Sequence, residues 1–94
     1  NLVFDFAILT ASKSLVLLET NFYSTGGSKL NSTAEQYKYR NDQLKKEGIK
    51  FVWITDGPGW LTAKASLLEV FKHNDFLLNL DFVKKGVLSD ILSI

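Results

Sequence analysis

Two acidic residues interrupt apolar, strand-like runs in the first quarter of this chain, and their type and spacing suit the binding of a divalent metal ion. Asp5 lies within the run over residues 2–9, and Glu19 lies near the end of the run over residues 14–23, with Asn21 two positions further on. A carboxylate without a partner in apolar surroundings is strongly unfavourable. Hard cations such as Mg²⁺ prefer oxygen ligands and often use one or two carboxylates. We therefore expect Asp5 and Glu19 to hold one metal ion together.

A hairpin between the two runs would place these acids face to face. If residues 11–13 form the loop, Thr10 pairs with Ser14, and counting back places Asp5 directly opposite Glu19. Opposed residues have Cβ atoms roughly 4.5–5.5 Å apart, and two carboxylates so placed repel unless a cation or a shared proton lies between them. Side chains alternate along a strand, so Asn21 shares the face of Glu19. A loop one residue longer or shorter would separate the acids, so the prediction depends on the register.

The elements that must position these residues form an α/β pattern with a mixed sheet. We predict an antiparallel pair of strands over about 1–10 and 14–23, a crossover helix over about 29–47 and a parallel strand over about 49–55. The helix prediction follows from one stripe of residues at helical spacing, namely Leu30, Ala34, Tyr37, Asn41 and Leu44. Helical segments complete the chain.

Local signals predict where the helices begin. Ser32 and Glu35 have the spacing of a capping box at the start of the crossover helix. Thr62 is expected to cap a helix over about 63–73, and Asp81 a last helix, while residues 76–80 fit either a short strand or apolar packing.

Composition limits the class of protein. A hydrophobic share of 46% in 94 residues predicts one domain with a real core, or a part of one. The chain has no cysteine, no signal-peptide pattern and no apolar run of the roughly 20 residues that cross a bilayer, so we expect a cytoplasmic protein without membrane contact. A net charge of +1 neither supports nor excludes binding to nucleic acid. Because the chain enters a strand directly at Asn1, we expect it to be the C-terminal portion of a larger protein.

The motifs together resemble a known family. An aspartate is followed fourteen residues later by Glu-x-Asn and then by Phe-Tyr-Ser-Thr-Gly-Gly-Ser-Lys-Leu-Asn. This pattern, with residues 49–57 and Trp60, resembles the PD-(D/E)XK nuclease superfamily, and more narrowly the DpnII/MboI-type restriction endonucleases that cleave at GATC. The resemblance implies a restriction-endonuclease-like core that lacks its N-terminal helix and first strand, so that residues 1–94 form the C-terminal part of a single nuclease domain. It also implies Mg²⁺-dependent cleavage of double-stranded DNA by a type II restriction endonuclease that acts as a homodimer.

The resemblance assigns roles by position. Asp5 and Glu19 match the two acidic metal ligands, and Asn21 falls where the superfamily usually has a lysine. Asn21 is then expected to support the attacking water or a phosphate oxygen. Lys29 is a candidate to replace the missing lysine, and Glu35 matches a further carboxylate that some related enzymes place on this helix.

Each of these residues also has a simpler interpretation. Asp5 can be an ordinary acid at the end of a strand or hairpin, and Lys29 a solvated residue at the start of the helix. Glu19 can form a structural ion pair with Lys13 or Lys29, Asn21 can bond to the backbone of a turn, and the capping box alone can account for Glu35. The basic side chains of the crossover helix, Lys38, Arg40, Lys45 and Lys46, can form an ordinary solvated face or, with Tyr37 and Tyr39, contact a DNA backbone. Two other functions stay open, a repair or recombination nuclease on the same scaffold and an inactive, nuclease-like interaction domain.

Overall fold

A four-stranded mixed sheet forms the centre of the computed structural model, which describes residues 4–94. Strands β1 (Phe6–Leu9) and β2 (Leu15–Phe22) are antiparallel, and β3 (Lys50–Asp56) lies parallel to β2 on its other side. A short strand, β4 (Phe76–Leu78), extends the sheet parallel to β3. The predicted α/β class and mixed sheet are therefore confirmed, although the first three residues of the predicted strand 1–10 lie outside the described residues.

The crossover helix α1 (Ser28–Lys46) connects β2 to β3, within one residue of its predicted bounds. Its first turn follows Gly27, whose φ of 140° ends the preceding loop. The predicted capping box is wrong, because Ser32 already lies inside the helix and its hydroxyl donates to the Lys29 carbonyl oxygen (3.1 Å). Although α1 has 19 residues, neither it nor any other helix within residues 4–94 is long and apolar enough to cross a membrane.

The helices in the second half of the chain begin at residues other than those predicted. A 3-10 helix (Pro58–Thr62) precedes α2 (Lys64–His73), so Thr62 ends one helix and does not cap the next. The side chain of Asn79, and not that of Asp81, caps α3 (Leu80–Lys84). Its Oδ1 accepts a hydrogen bond from the backbone N–H of Phe82, the third residue of that helix (2.9 Å). The predicted single last helix is divided, because Gly86 adopts a left-handed conformation (φ 89°) before α4 (Val87–Leu92).

The sheet is covered on both faces by helices. On one face, α1 and α2 pack over an aromatic core that contains Leu17, Leu30, Leu44, Phe51, Trp53, Trp60 and Val70. On the other face, α3 and α4 cover Val16, Leu18, Val52, Ile54 and Leu78. Since side chains alternate along β2, Glu19 and Asn21 fall on the same face as Leu17 and point toward the aromatic core.

Candidate active site

The β1–β2 hairpin has the register on which the site depends. The backbone N–H of Thr10 donates to the Ser14 carbonyl (2.9 Å), and Lys13 closes the loop in a left-handed conformation (φ 65°). A three-residue hairpin loop with its last residue left-handed is one of the common types. From this loop the strands pair residue by residue from Leu9 with Leu15 to Phe6 with Leu18. Extending the same register by one residue places Asp5 opposite Glu19. The predicted register is confirmed.

Asp5 is fixed at the open end of the hairpin by the backbone of the opposite strand. Its Oδ2 accepts hydrogen bonds from the backbone N–H of Thr20 (2.7 Å) and from the Thr20 hydroxyl (3.1 Å). No other backbone, hydroxyl or amide donor within residues 4–94 bonds this carboxylate, which is otherwise exposed. Asp5 therefore has a defined orientation and a second oxygen that can serve as a metal ligand.

Glu19 is the buried member of the pair, with 7% of its surface exposed. Its Oε1 lies 3.5 Å from Nη1 of Arg40, and its Oε2 accepts a long hydrogen bond from the Tyr37 hydroxyl (3.4 Å). Burial raises the pKa of Glu19 above its ordinary value, and the charge of Asp5 raises it further, while Arg40 and the Tyr37 hydrogen bond oppose the shift. The ionised form of Glu19 is thus disfavoured by its surroundings, and a bound cation would stabilise it.

Arg40 is the cation beside Glu19, in place of the Lys13 or Lys29 that the structural interpretation suggested. Its side chain is only 12% exposed, and its guanidinium lies over the rings of Phe4 (5.3 Å) and Tyr37 (5.0 Å). Burial and the Glu19 charge raise the pKa of the Tyr37 hydroxyl to about 12, so it stays a hydrogen-bond donor at neutral pH. The predicted solvated basic face is wrong for Arg40. This residue lies beside the helical stripe and not on it, so no local sequence signal marked its burial.

Asn21 projects from the same face of β2 as Glu19 and is half-buried. Its Oδ1 accepts a hydrogen bond from the indole Nε1 of Trp53 (3.0 Å), so its partner is a core side chain and not the backbone of a turn. Its Nδ2 donates to no protein atom within the part of the chain that the structure describes. The amide therefore offers free N–H donors near the two acids.

The other two predicted site residues lie on α1 and are exposed. Glu35 forms an ion pair with Lys38 (2.8 Å), which also contacts Glu69 (3.4 Å). Lys29 forms no ion pair with a carboxylate of residues 4–94. Within the same residues, no three side chains of the types His, Cys, Asp and Glu group as a metal site. The structure brings together Asp5, Glu19 and Asn21, and does not bring Glu35 to them.

The arrangement of Asp5 and Glu19 suits a divalent metal ion. Two carboxylates on a rigid hairpin are the usual protein share of a Mg²⁺ site, whose other ligands are water and phosphate oxygens. Burial raises the pKa of Glu19 and the charge of Asp5 adds to this rise, so a bound divalent ion would stabilise the ionised pair.

Comparisons with known proteins agree with the motifs. The family model described as DpnII restriction endonuclease matches residues 1–90. The chain is 48% identical to the type II restriction enzyme MjaIII of Methanocaldococcus jannaschii over 96 residues, which cover 99% of this chain and 33% of that enzyme. It is 43% identical to the type II restriction enzyme DpnII of Streptococcus pneumoniae (94% of this chain, 31% of the relative) and 46% identical to MboI of Moraxella bovis (82% and 28%). The chain thus spans about a third of the length of these relatives. No solved structure gives a significant match.

Proposed function

We propose that this chain, which belongs to the DpnII restriction endonuclease family, forms the C-terminal part of a single PD-(D/E)XK nuclease domain in a type II restriction endonuclease. The proposed reaction is the Mg²⁺-dependent hydrolysis of phosphodiester bonds in double-stranded DNA at a short palindrome, GATC. The observation that carries the proposal is the pairing of Asp5 with Glu19 across the β1–β2 hairpin. The names of the relatives support the reaction class, and the resemblance of the Glu-Thr-Asn-Phe-Tyr-Ser run supports the recognition sequence.

Each of the three clustered residues has a distinct role in this proposal. Asp5 and Glu19 hold the Mg²⁺ ion, which when bound lowers the pKa of a water molecule and neutralises charge on the phosphate. Asn21 donates a hydrogen bond to the attacking water or to a phosphate oxygen. Lys29 and Glu35 stay sequence predictions, because both are exposed and neither forms a hydrogen bond or an ion pair with these three side chains in the described residues.

The proposed assembly is a cytoplasmic homodimer on DNA. A palindrome has two-fold symmetry, and a two-fold symmetric dimer presents one site to each strand. The basic side chains of α1 contribute less to DNA binding than their number suggests, because Lys38, Arg40 and Lys45 each form an ion pair within the protein. Because the chain spans about a third of its relatives' length, we propose that residues outside it make most of the contacts to the bases.

Cleavage of a plasmid by the intact protein tests the proposal. With Mg²⁺ we expect fixed fragments from GATC sites, no cleavage in EDTA, and no cleavage by Asp5→Ala with DNA binding retained. Glu47→Ala, which removes an exposed acid at the end of α1, is the matched control and should cleave normally. Undiminished cleavage by Asp5→Ala would refute the metal site. Cutting without fixed fragments would favour a repair or recombination nuclease, and binding without any cutting would favour an inactive interaction domain.

A further inference from the structure

We infer that Trp53 is a positioning residue that orients Asn21 so that the amide N–H₂ group, and not the carbonyl oxygen, meets an anionic oxygen of the DNA backbone. The inference rests on the proposed function and deepens it. It decides what kind of group Asn21 presents at the site.

The hydrogen bond between the two residues determines the orientation of the amide. An indole N–H can only donate, so the atom of Asn21 that lies 3.0 Å from Trp53 Nε1 must be the oxygen. The two N–H donors of the amide then lie on the other side, where no acceptor within residues 4–94 bonds them. Trp53 is also the β3 neighbour of Glu19 in the sheet register, so the contact lies next to the acid pair.

The indole of Trp53 is held in place by its surroundings. The residue has 0% of its surface exposed. Its ring makes edge contacts with Tyr37 (centroids 4.8 Å apart, 80° between planes) and with Trp60 (5.7 Å, 69°). A ring packed at crystal-like density cannot rotate without displacing its neighbours. The direction of the indole N–H, and with it the orientation of the amide, is therefore a fixed property of the core.

This orientation limits the chemistry available to Asn21. Its amide oxygen is too weakly basic to take a proton from the attacking water, and one of its two lone pairs already accepts from Trp53. Its free N–H groups match an oxygen that carries negative charge, such as a non-bridging phosphate oxygen. An amide donor in a preorganised position stabilises charge as it develops in the transition state, and here it does so without adding a positive charge beside the metal ligands.

Both tryptophans donate an indole N–H hydrogen bond to a side-chain oxygen, so their phenylalanine variants can be compared directly. Trp60 donates its indole N–H to the Thr55 hydroxyl (2.9 Å), so Trp60→Phe removes an equivalent buried hydrogen bond without touching the amide. In the intact protein we expect Trp53→Phe to lower kcat about fivefold, which corresponds to one lost hydrogen bond of about 1 kcal/mol, with KM for DNA unchanged. Trp60→Phe keeps an aromatic ring in contact with Trp53, so it should lower kcat by less than twofold. In an Asn21→Ala background, Trp53→Phe should cause no further loss.

Asn21→Asp tests the donor assignment by a second route. The aspartate still accepts the Trp53 hydrogen bond but presents an oxygen to the phosphate, so it should cleave at least tenfold more slowly than Asn21→Ala and bind DNA more weakly in EDTA. This comparison decides the matter if Trp53→Phe fails to fold. Equal kcat values for Trp53→Phe and Trp60→Phe, an additive double variant, or Asn21→Asp performing as well as Asn21→Ala would each overturn the inference. Asp5→Ala distinguishes failure of this inference from failure of the proposed function, because full cleavage by that variant would refute the proposed function itself.

Discussion

Replacing Arg40 by methionine should destabilise the protein in a pH-dependent way, measured without divalent metal. The substitution keeps most of the side-chain length between the rings of Phe4 and Tyr37 but removes the charge beside Glu19. Glu19 would then remain buried next to Asp5 with no cation. The experiment therefore isolates what the guanidinium does for the acid pair.

The size of the effect follows from the burial of both partners. Removing one member of a buried ion pair typically costs about 3–5 kcal/mol. We expect about 3 kcal/mol at pH 8, because the 3.5 Å contact is loose and Glu19 can lower the cost by taking up a proton. About 0.5–1 kcal/mol of this is the loss of the cation–π contacts, which does not depend on pH. The remaining ~2 kcal/mol is electrostatic and takes the form of a further rise in the pKa of Glu19.

The sign of the pH dependence is set by the raised pKa of Glu19. A carboxyl group whose pKa is higher in the folded than in the unfolded state stabilises the fold below the unfolded value, here 4.5, and this contribution is lost as the pH rises through the folded pKa. Arg40 lowers the folded pKa, so its removal extends the loss to higher pH. The difference in stability between the wild type and Arg40→Met should be small near pH 4 and reach its maximum above the folded pKa of the variant.

Urea denaturation between pH 4 and 8, followed by the fluorescence of the two buried tryptophans, measures this difference. Glu19→Gln in both backgrounds is the control, because without an ionisable group the effect of Arg40→Met should no longer vary with pH. A loss of stability that is equal at pH 4 and pH 8 would show that Arg40 acts through packing alone and would refute the electrostatic reasoning.

Three further predictions concern the metal, a loop and a helix cap. Mg²⁺ at ten times its Kd should raise the free energy of unfolding by about 1.4 kcal/mol, and Asp5→Asn should abolish this gain in a thermal shift assay; an equal gain in the variant would contradict the metal assignment. Gly57→Ala should cost more than about 3 kcal/mol, because the new Cβ would clash with the Tyr23 carbonyl oxygen and the φ of 116° is unfavourable for alanine. Gly48→Ala, at a φ of 75° and with open space around the new Cβ, should cost only about 1–2 kcal/mol in urea denaturation. Asn79→Ala should lower stability by about 1 kcal/mol in the same measurement and Asp81→Ala by much less, and the reverse order would contradict the observed cap.

The hairpin and the sheet were predictable from sequence because few alternatives compete there. A three-residue loop at 11–13 is a common hairpin type, and a shift of one residue would turn every side chain of β2 to the opposite face. The apolar run of β3 and the helical stripe of α1 are long enough to identify the first as a strand and the second as a helix. Asp5 and Glu19 followed directly from this register.

Helix starts and the partner of Glu19 were not predictable in the same way. Ser32 and Asp81 carry good capping side chains, but glycine or asparagine a few residues earlier begins the helix first. Arg40 resembles any surface arginine in the sequence. Its burial depends on Phe4 and Glu19, which reach it only through the packing of α1 on the sheet. Contacts between distant segments of this kind leave no local pattern.

The interruptions of the apolar pattern are the strongest physical argument for function in this chain. A strand selected for stability alone would carry apolar side chains where β2 has Glu19 and Asn21, because well-packed hydrophobic residues commonly stabilise a core as well as or better than a buried ion pair. Instead, the core surrounds these two residues with specific partners, an arginine and an indole N–H. Such local conflicts with the fold are expected at functional sites. That both conflicts lie on one face, at the same end of the strand and beside Asp5, favours a shared chemical role over two unrelated structural accidents.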